Sequence, residues 1–157
     1  MLEAVLTILR DVIAQAARTA ASGWSPQSTY TDLFAMADVL RSVINAPITI
    51  EDARSRLLAY STGQDGADAA RTSTIIGRQV PLALRDEYRA LGVFRRLARS
   101  DEPIFVPARD SGIKARLIIP VRAGGEWLGS VWAAVEEEPS AEQVTALRTA
   151  SAVLDAL

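Results

Sequence analysis

The stretch from residue 115 to 135 constrains the fold more than any other part of the sequence, because it contains two apolar runs joined by a glycine pair. Side chains alternate between the two faces of a strand, and in both runs each face is mostly apolar. Such strands lie inside a domain, covered on both sides. Gly124 and Gly125 supply the positive backbone angles of a tight turn, so the stretch predicts a long hairpin at the centre of an antiparallel sheet.

Alternation also assigns individual side chains of this hairpin to faces. In the second run we expect Trp127 and Val131 on one face and Trp132 on the other. Pro120 has no backbone N–H to donate and should therefore face a bulge or an unpaired edge. Gly129 should leave room for the close approach of another backbone, a large side chain or a ligand.

The composition is that of an ordinary globular protein and lacks most catalytic residue sets. The 157 residues, 49% hydrophobic and 23% charged, are enough for one domain with a single core, and the net charge of -2 gives no general attraction to nucleic acid. Because cysteine and histidine are both absent, disulfides, thiol nucleophiles, Cys or His metal sites and Ser-His-Asp triads are excluded. We therefore expect a protein that is not an enzyme and holds no metal or cofactor.

The N-terminal part of the chain predicts a helix over residues 1–21. Its apolar seam recurs at intervals of four and three, as in a helical bundle, and comprises Leu2, Leu6, Leu9 and Ile13. The helix either lies on its own domain or makes a dimer contact, and the width of its apolar stripe favours the dimer. Gly23 and Pro26 make residues 22–28 a connector. We therefore divide the chain into a helix with its connector, 1–28, and a main domain, 29–157.

The same N-terminal helix bears on localisation. Its charged residues Glu3, Arg10 and Asp11 interrupt the apolar core that a signal peptide requires. Nowhere does an apolar run approach the ~20 residues of a membrane span. We therefore expect a cytoplasmic protein without membrane contact.

The C-terminal part predicts a second bundle helix. Ser140 and Gln143 form a capping box at its start, and no stop signal precedes Leu157, so we expect the chain to continue in a longer protein. The candidate dimer contacts on this helix are Val144, Leu147 and Leu154.

Between the two ends, helical and strand patterns alternate in an order typical of an α+β domain. We predict helices over 31–44, 67–76, 81–91 and 93–100, and strands over 47–52, 56–61 and 103–106. With the hairpin, these make an antiparallel sheet of about five to six strands. The N- and C-terminal helices would cover one face of the sheet, and a short helical insert, residues 62–99, would cover the other and enclose any cavity.

Four segments carry a resemblance to a known family. They are ITIEDARSRLLAYST at 48–62, DAARTSTIIGRQVP at 68–81, GVFRRLARSDEPIFV at 92–106 and IIPVRAGGEWLGSVWAAVE at 118–136. Together they resemble the GAF-like sensor domain of PucR/CdaR-type bacterial transcription regulators. The resemblance implies a GAF-like fold, an unidentified small-molecule effector, and DNA binding only through a helix-turn-helix domain that is absent from this sequence.

The helical insert contains arginine residues that are candidates for ligand binding. They are Arg71, Arg78, Arg95 and Arg96. An arginine over the sheet could clamp a carboxylate or phosphate of an effector with a two-pronged hydrogen bond. It could equally pin the insert to an acidic side chain, and the candidates for that role are Asp65, Asp68 and Asp101.

Aromatic and hydroxyl side chains could complete the pocket. Tyr60 and Trp132 are expected on the sheet face under the insert, where they would line a pocket or fill the core. Thr74 could add a hydroxyl, although such residues more often serve caps and turns. The adjacent carboxylates Glu51 and Asp52 could suggest acid-base chemistry, but at a strand end they favour a turn with surface ion pairs.

Three functions are compatible with these patterns. The preferred one is a regulatory domain that binds a small molecule, forms a homodimer through its terminal helices and signals to a DNA-binding domain. The alternative is a structural homodimerisation module without a ligand. An enzyme is the least favoured, because no nucleophile, base and metal set can be assembled from the sequence.

Overall fold

The computed structural model describes residues 27–64, 67–109, 112–123 and 125–136. The helices of this part are α1 (Gln27–Ile44), α2 (Ala69–Gly77), α3 (Leu82–Ala90) and α4 (Val93–Arg99). Its strands are β1 (Ile48–Asp52), β2 (Leu57–Tyr60), β3 (Ile104–Val106), β4 (Ala115–Ala123) and β5 (Glu126–Val135). The predicted α+β class is confirmed.

The strands form an antiparallel sheet around the predicted hairpin. Across the described residues the sheet has five strands in the order β2-β1-β5-β4-β3, and every neighbouring pair is antiparallel. Within the β4–β5 hairpin, Gly125 has φ of 80°, the left-handed conformation that the tight turn requires. The hairpin places β5 between β1 and β4, and it is the centre of the sheet as predicted.

One face of the sheet packs against α1. The helix contributes Leu33, Ala37 and Leu40, spaced by four and three so that they share one side, and all three are fully buried. Their partners on the strands include Ile48, Ile50, Ile119, Val131 and Ala133. The structure corrects the predicted start of this helix, because α1 begins at Gln27 instead of residue 31. Pro26 directly precedes it, and proline suits the first turn of a helix as well as a connector.

The opposite face is covered by helices of the helical insert, as predicted. The buried apolar side chains on this side include Val80, Leu84, Tyr88, Val93 and Leu97 of the insert together with Ile118 and Trp132 of the sheet. The rings of Tyr88 and Trp132 meet edge to face with centroids 5.0 Å apart. The hairpin is therefore buried between α1 on one side and α3 and α4 on the other.

A bulge near the hairpin turn changes the predicted face of one tryptophan. The β4–β5 register shifts between Val121 and Arg122, so that Val121 pairs with Gly129 and Arg122 pairs with Trp127. The shift reverses the alternation, and Trp127 packs against the insert-side core, not on the face of Val131. The expectation for Pro120 is met, since it lies next to this bulge and beyond the stretch of β4 that pairs with β3.

Several predictions concern parts of the chain outside the described residues. They include the helix over 1–21, most of the connector, and the C-terminal helix. The candidate dimer contacts Leu2, Leu6, Leu9, Ile13, Val144, Leu147 and Leu154 all fall there.

None of the helices in the described ranges combines the length and apolar character needed to cross a lipid bilayer.

The fold predicts opposite outcomes for two glycine-to-alanine substitutions. A Cβ on Gly129 would lie 2.4 Å from the backbone oxygen of Glu51, so Gly129→Ala should force β5 and β1 apart and lower the free energy of unfolding by about 1–3 kcal/mol. At Gly77, the last residue of α2, a Cβ meets nothing within 4 Å. Gly77→Ala should therefore leave stability unchanged or raise it by up to about 1 kcal/mol. Urea denaturation of both variants checks this, and equal effects would contradict the strand packing.

Candidate functional site

A buried ion pair fastens the start of the helical insert to the sheet. Asp68 is the N-cap of α2, where its side chain accepts the backbone N–H of Arg71 at 2.9 Å. The same carboxylate receives two hydrogen bonds from the Arg116 guanidinium on β4, each 2.8 Å long. It also accepts the backbone N–H of Lys114 at 2.8 Å. Both charged side chains are 4–5% exposed, so the pair fixes the insert at a solvent-excluded point of the sheet.

The charge state of Asp68 follows from these contacts. Burial by itself would raise the pKa of this carboxyl, but the hydrogen bonds and charge of Arg116, with the backbone donors, outweigh it and lower the pKa from 3.8 to about 2. Because the folded-state pKa lies below the unfolded value, Asp68 stabilises the fold above about pH 4. That contribution is lost as the pH falls through about 2.

A second arginine, Arg71, bridges α2 to two strands. Its side chain is buried, and its Nη2 donates to the backbone oxygen of Trp132 on β5 at 2.9 Å. Its Nη1 donates to the backbone oxygen of Pro47 at 3.1 Å and to Oε1 of Gln64 at 3.0 Å. Burial and the nearby charge of Arg116 lower the pKa of Arg71 to about 10, so the guanidinium keeps its charge at neutral pH.

The sheet presents a buried carboxylate to the same face. Glu51 is 3% exposed and lies two residues from Thr49 on β1, so both side chains point toward the helical insert. The Thr49 hydroxyl donates to Oε2 of Glu51 at 3.1 Å. The other carboxylate oxygen, Oε1, is also buried, yet it has no hydrogen-bond partner among the residues that the structure describes. Buried polar atoms are nearly always paired, so this oxygen is an open acceptor.

Burial controls the protonation of Glu51. Desolvation raises the pKa of this carboxyl from 4.5 to about 7, against the opposing effects of the Arg71 charge, the Thr49 hydrogen bond and the Arg116 charge. Because the pKa is higher in the folded state, Glu51 favours the fold most at pH values below its unfolded-state pKa of 4.5. Its protonated form is lost as the pH rises through about 7, so this residue makes the fold less stable between about pH 4.5 and 7. The protein therefore retains a costly group at this position.

Small polar neighbours surround the open acceptor. On β5, Ser130 pairs directly with Glu51, and on β4, Pro120 pairs with Ser130. The Ser130 hydroxyl is buried and accepts the indole N–H of Trp127 at 3.1 Å. The row through Glu51 thus carries Ser130 and Pro120, with the Trp127 indole reaching Ser130, and the next row carries the ring of Trp132.

The structure brings together only some of the residues predicted to bind a ligand. Arg71 and Trp132 meet between the insert and the sheet. Thr74 is buried but donates its hydroxyl to Ala70 within α2 at 3.0 Å. Arg78 and Arg95 lie exposed on the insert. Their roles in ligand binding stay predictions.

Tyr60 lies at the outer edge of the sheet, 37% exposed, with its ring edge-to-face against Phe34 of α1. It lines a half-open cavity of about 520 Å³ between β2 and α2. Other lining residues are Gln64, Asp68, Thr72 and Ile76. Asp68 therefore belongs both to the buried ion pair and to the wall of this cavity.

The expectation that Glu51 and Asp52 form a turn with surface ion pairs is half correct. Asp52 does pair with Arg56, at 2.7 Å. Glu51 is instead buried beneath the insert, on the face of β1 opposite to Ile48 and Ile50. The alternation identifies the two faces, but it does not reveal that a later segment covers the polar one.

Within the described residues, no group of three or more acidic side chains is arranged to hold a metal ion.

Comparison with known proteins finds one curated relative. The chain is 39% identical over 118 residues to the DNA-binding transcriptional activator AdeR of Bacillus subtilis. The match covers 74% of this chain but 28% of the activator, so the chain spans less than a third of that protein. The chain is thus a homologue of one segment of a transcriptional activator. No model of a known protein family matches it.

The solved structures that match this chain at TM-scores below 0.5 include bacterial sensor domains. The cofactor-binding GAF domain of the nutrient sensor CodY from Clostridium difficile has a TM-score of 0.46 at 15% identity, over 76% of this chain and 80% of that one. The PAS domain of BvgS from Bordetella pertussis has a TM-score of 0.40 at 22% identity, over 74% and 94% of the two chains.

The buried ion pair predicts a large difference between two aspartate substitutions. Asp68→Asn leaves Arg116 buried without its counter-charge and should lower the free energy of unfolding at pH 7 by about 3–5 kcal/mol. Asp86→Asn breaks an exposed pair with Arg89 and should cost about 0–1 kcal/mol. Urea denaturation measures both costs. In the wild type, protonation of Asp68 should lower the stability as the pH falls from about 4 to about 2. The Asp68→Asn variant should not show this loss. Equal costs for the two variants would contradict a structural role for the buried pair.

Proposed function

We propose that this chain is a GAF-like small-molecule-sensing domain of a bacterial transcription regulator, with its ligand site between the sheet and the helical insert. One observation carries the proposal: the sheet face under the insert holds a buried carboxylate, Glu51, whose Oε1 is an open acceptor. Perturbed, incompletely paired polar groups of this kind concentrate at functional sites. The homology to a segment of a transcriptional activator supports the regulatory role.

The mechanism follows from how the insert is attached. Arg71 and the Asp68–Arg116 pair hold the start of α2 on the sheet, and Arg122 of β4 donates to the backbone oxygen of Leu97 near the end of α4. Between these attachments the insert is in position to close over a bound molecule. A ligand that binds the closed arrangement more tightly shifts the population toward it, and the shift is the signal.

The finer features of the proposal come from the sequence. The domain is of the PucR/CdaR type, acts in the cytoplasm as a homodimer through its terminal helices, and catalyses no reaction. DNA is bound by another domain of the same regulator. The name of the activator relative, which includes DNA binding, supports the last point.

A structural dimerisation module is the second candidate, and one observation favours it. Arg71 uses its guanidinium nitrogens on protein acceptors, and Trp132 is packed against Tyr88, so two of the predicted ligand residues already serve the fold. In that case the space under the insert is filled by side chains alone.

Ligand screening by NMR distinguishes the two functions. With ¹⁵N-labelled protein, we expect at least one class of small metabolite to shift backbone amides of β1, β5 and α2 in a saturable way and to raise the melting temperature. Residues of α1, on the opposite face, serve as the internal control. Shifts confined to α1 would contradict the proposed location, and the absence of any saturable response across charged and uncharged metabolites would favour the structural module.

A further inference from the structure

We propose that Glu51 Oε1 is the anchor for an uncharged part of the ligand that donates an N–H or O–H hydrogen bond, such as an amide, urea or hydroxyl group. The inference rests on the proposed sensing function and specifies the chemistry of its site. It is carried by the geometry of the Glu51 side chain and by the charges buried around it.

The free oxygen of Glu51 is buried on the face of β1 that the helical insert covers. The side chain is 3% exposed and lies on the insert side of β1, and Thr49 already occupies Oε2. Its cross-strand neighbour Ser130 is small and accepts the indole N–H of Trp127. A small donor group that enters between Glu51 and the insert would meet Oε1.

Hydrogen bonding to the ionised form of Glu51 requires that the ligand group be a donor. An ionised carboxylate can only accept, and leaving one of its oxygens buried and unpaired costs more than pairing it. A ligand carboxylate or carbonyl would set two acceptors against each other. A ligand N–H or O–H would supply the missing partner and stabilise the charged form of Glu51.

Charge balance selects an uncharged donor over a cation. The charged groups that act on Glu51 are Arg71 from α2, Arg116 from β4 and Asp52 next to it on β1. Asp68 neutralises Arg116 directly, and an ionised Glu51 balances the second buried positive charge, that of Arg71. A cationic ligand would leave this region with an excess positive charge in a solvent-excluded place, which is unfavourable.

The same argument gives the binding a pH dependence. Because the pKa of Glu51 is raised to about 7, its ionised fraction rises from about one-tenth at pH 6 to about nine-tenths at pH 8. A donor that prefers the ionised form should therefore bind about tenfold more tightly at pH 8 than at pH 6.

Four isosteric probes test the chemistry on the full chain. Acetamide is an uncharged donor, acetamidinium a cationic donor, acetate an anion and acetone an uncharged molecule without a donor. NMR titration of each, followed at the amides of residues 49–52 and 129–132, gives the dissociation constants. We expect acetamide to bind most tightly, and about tenfold more tightly at pH 8 than at pH 6.

Three variants connect the result to Glu51. Glu51→Gln keeps the size of the side chain but removes its titration, so any binding should lose its pH dependence. Glu51→Leu removes the acceptor and should weaken acetamide binding at least tenfold, while Glu126→Gln, an exposed change at the start of β5, should behave as the wild type. The backbone spectrum of each variant reports whether it is folded, and the Gln variant provides the test if the Leu variant is not.

The possible outcomes separate this inference from the proposed function. Tighter binding of acetamidinium, acetate or acetone at the same amides, or acetamide binding that Glu51→Gln leaves pH-dependent, would overturn the uncharged-donor site while supporting a sensor. If none of the four probes shifts these amides at millimolar concentration, the uncharged-donor site is overturned. A saturable response to other metabolites in the NMR screen would then preserve the sensor function, and its absence would overturn both.

Discussion

The fold of this protein depends on a buried ion pair between Asp68 and Arg116. Asp68 begins α2 as its N-cap, and Arg116 belongs to the central hairpin, so one carboxylate both starts the helical insert and attaches it to the sheet. Desolvating two charges is expensive, and good geometry with additional backbone donors is needed to offset that cost. Asp68 has both, through its two-pronged contact with Arg116 and the N–H groups of Arg71 and Lys114. The insert is thereby fixed at its first helix.

Fixing the insert in this way turns a polar sheet face into a buried one. Thr49, Glu51 and Ser130 would face water in a sheet covered on one side only, but here α3 and α4 lie over the same face. Burial raises the pKa of Glu51 to about 7 and leaves its Oε1 without a hydrogen-bond partner among the described residues. Burying a carboxyl with one oxygen unpaired costs stability, which is why we associate Glu51 with function.

Much of the fold could be predicted from local sequence, because apolar alternation and turn glycines specify the hairpin and its neighbours. The limits arose where a distant segment changed the environment of a residue. Its place at a strand end predicts Glu51 at the surface, but a local pattern does not show that a later segment covers this face. The predicted face of Trp127 is wrong because Pro120 indicates a bulge or an unpaired edge without showing where the register shifts. The pairing of Asp68 with Arg116 joins residues 48 positions apart, and only the folded topology identifies it.

The central claim is that the insert buries Glu51 against the sheet and leaves it a protonatable, incompletely paired carboxyl. The most direct measurement is a pH titration of the Glu51 side-chain carboxyl carbon by ¹³C NMR, assigned with the Glu51→Gln variant. A midpoint near 7 is what the account predicts, with the ligand-free protein folded throughout. A midpoint at the ordinary value near 4.5 would mean that the carboxyl is solvated or fully paired, and would contradict the account.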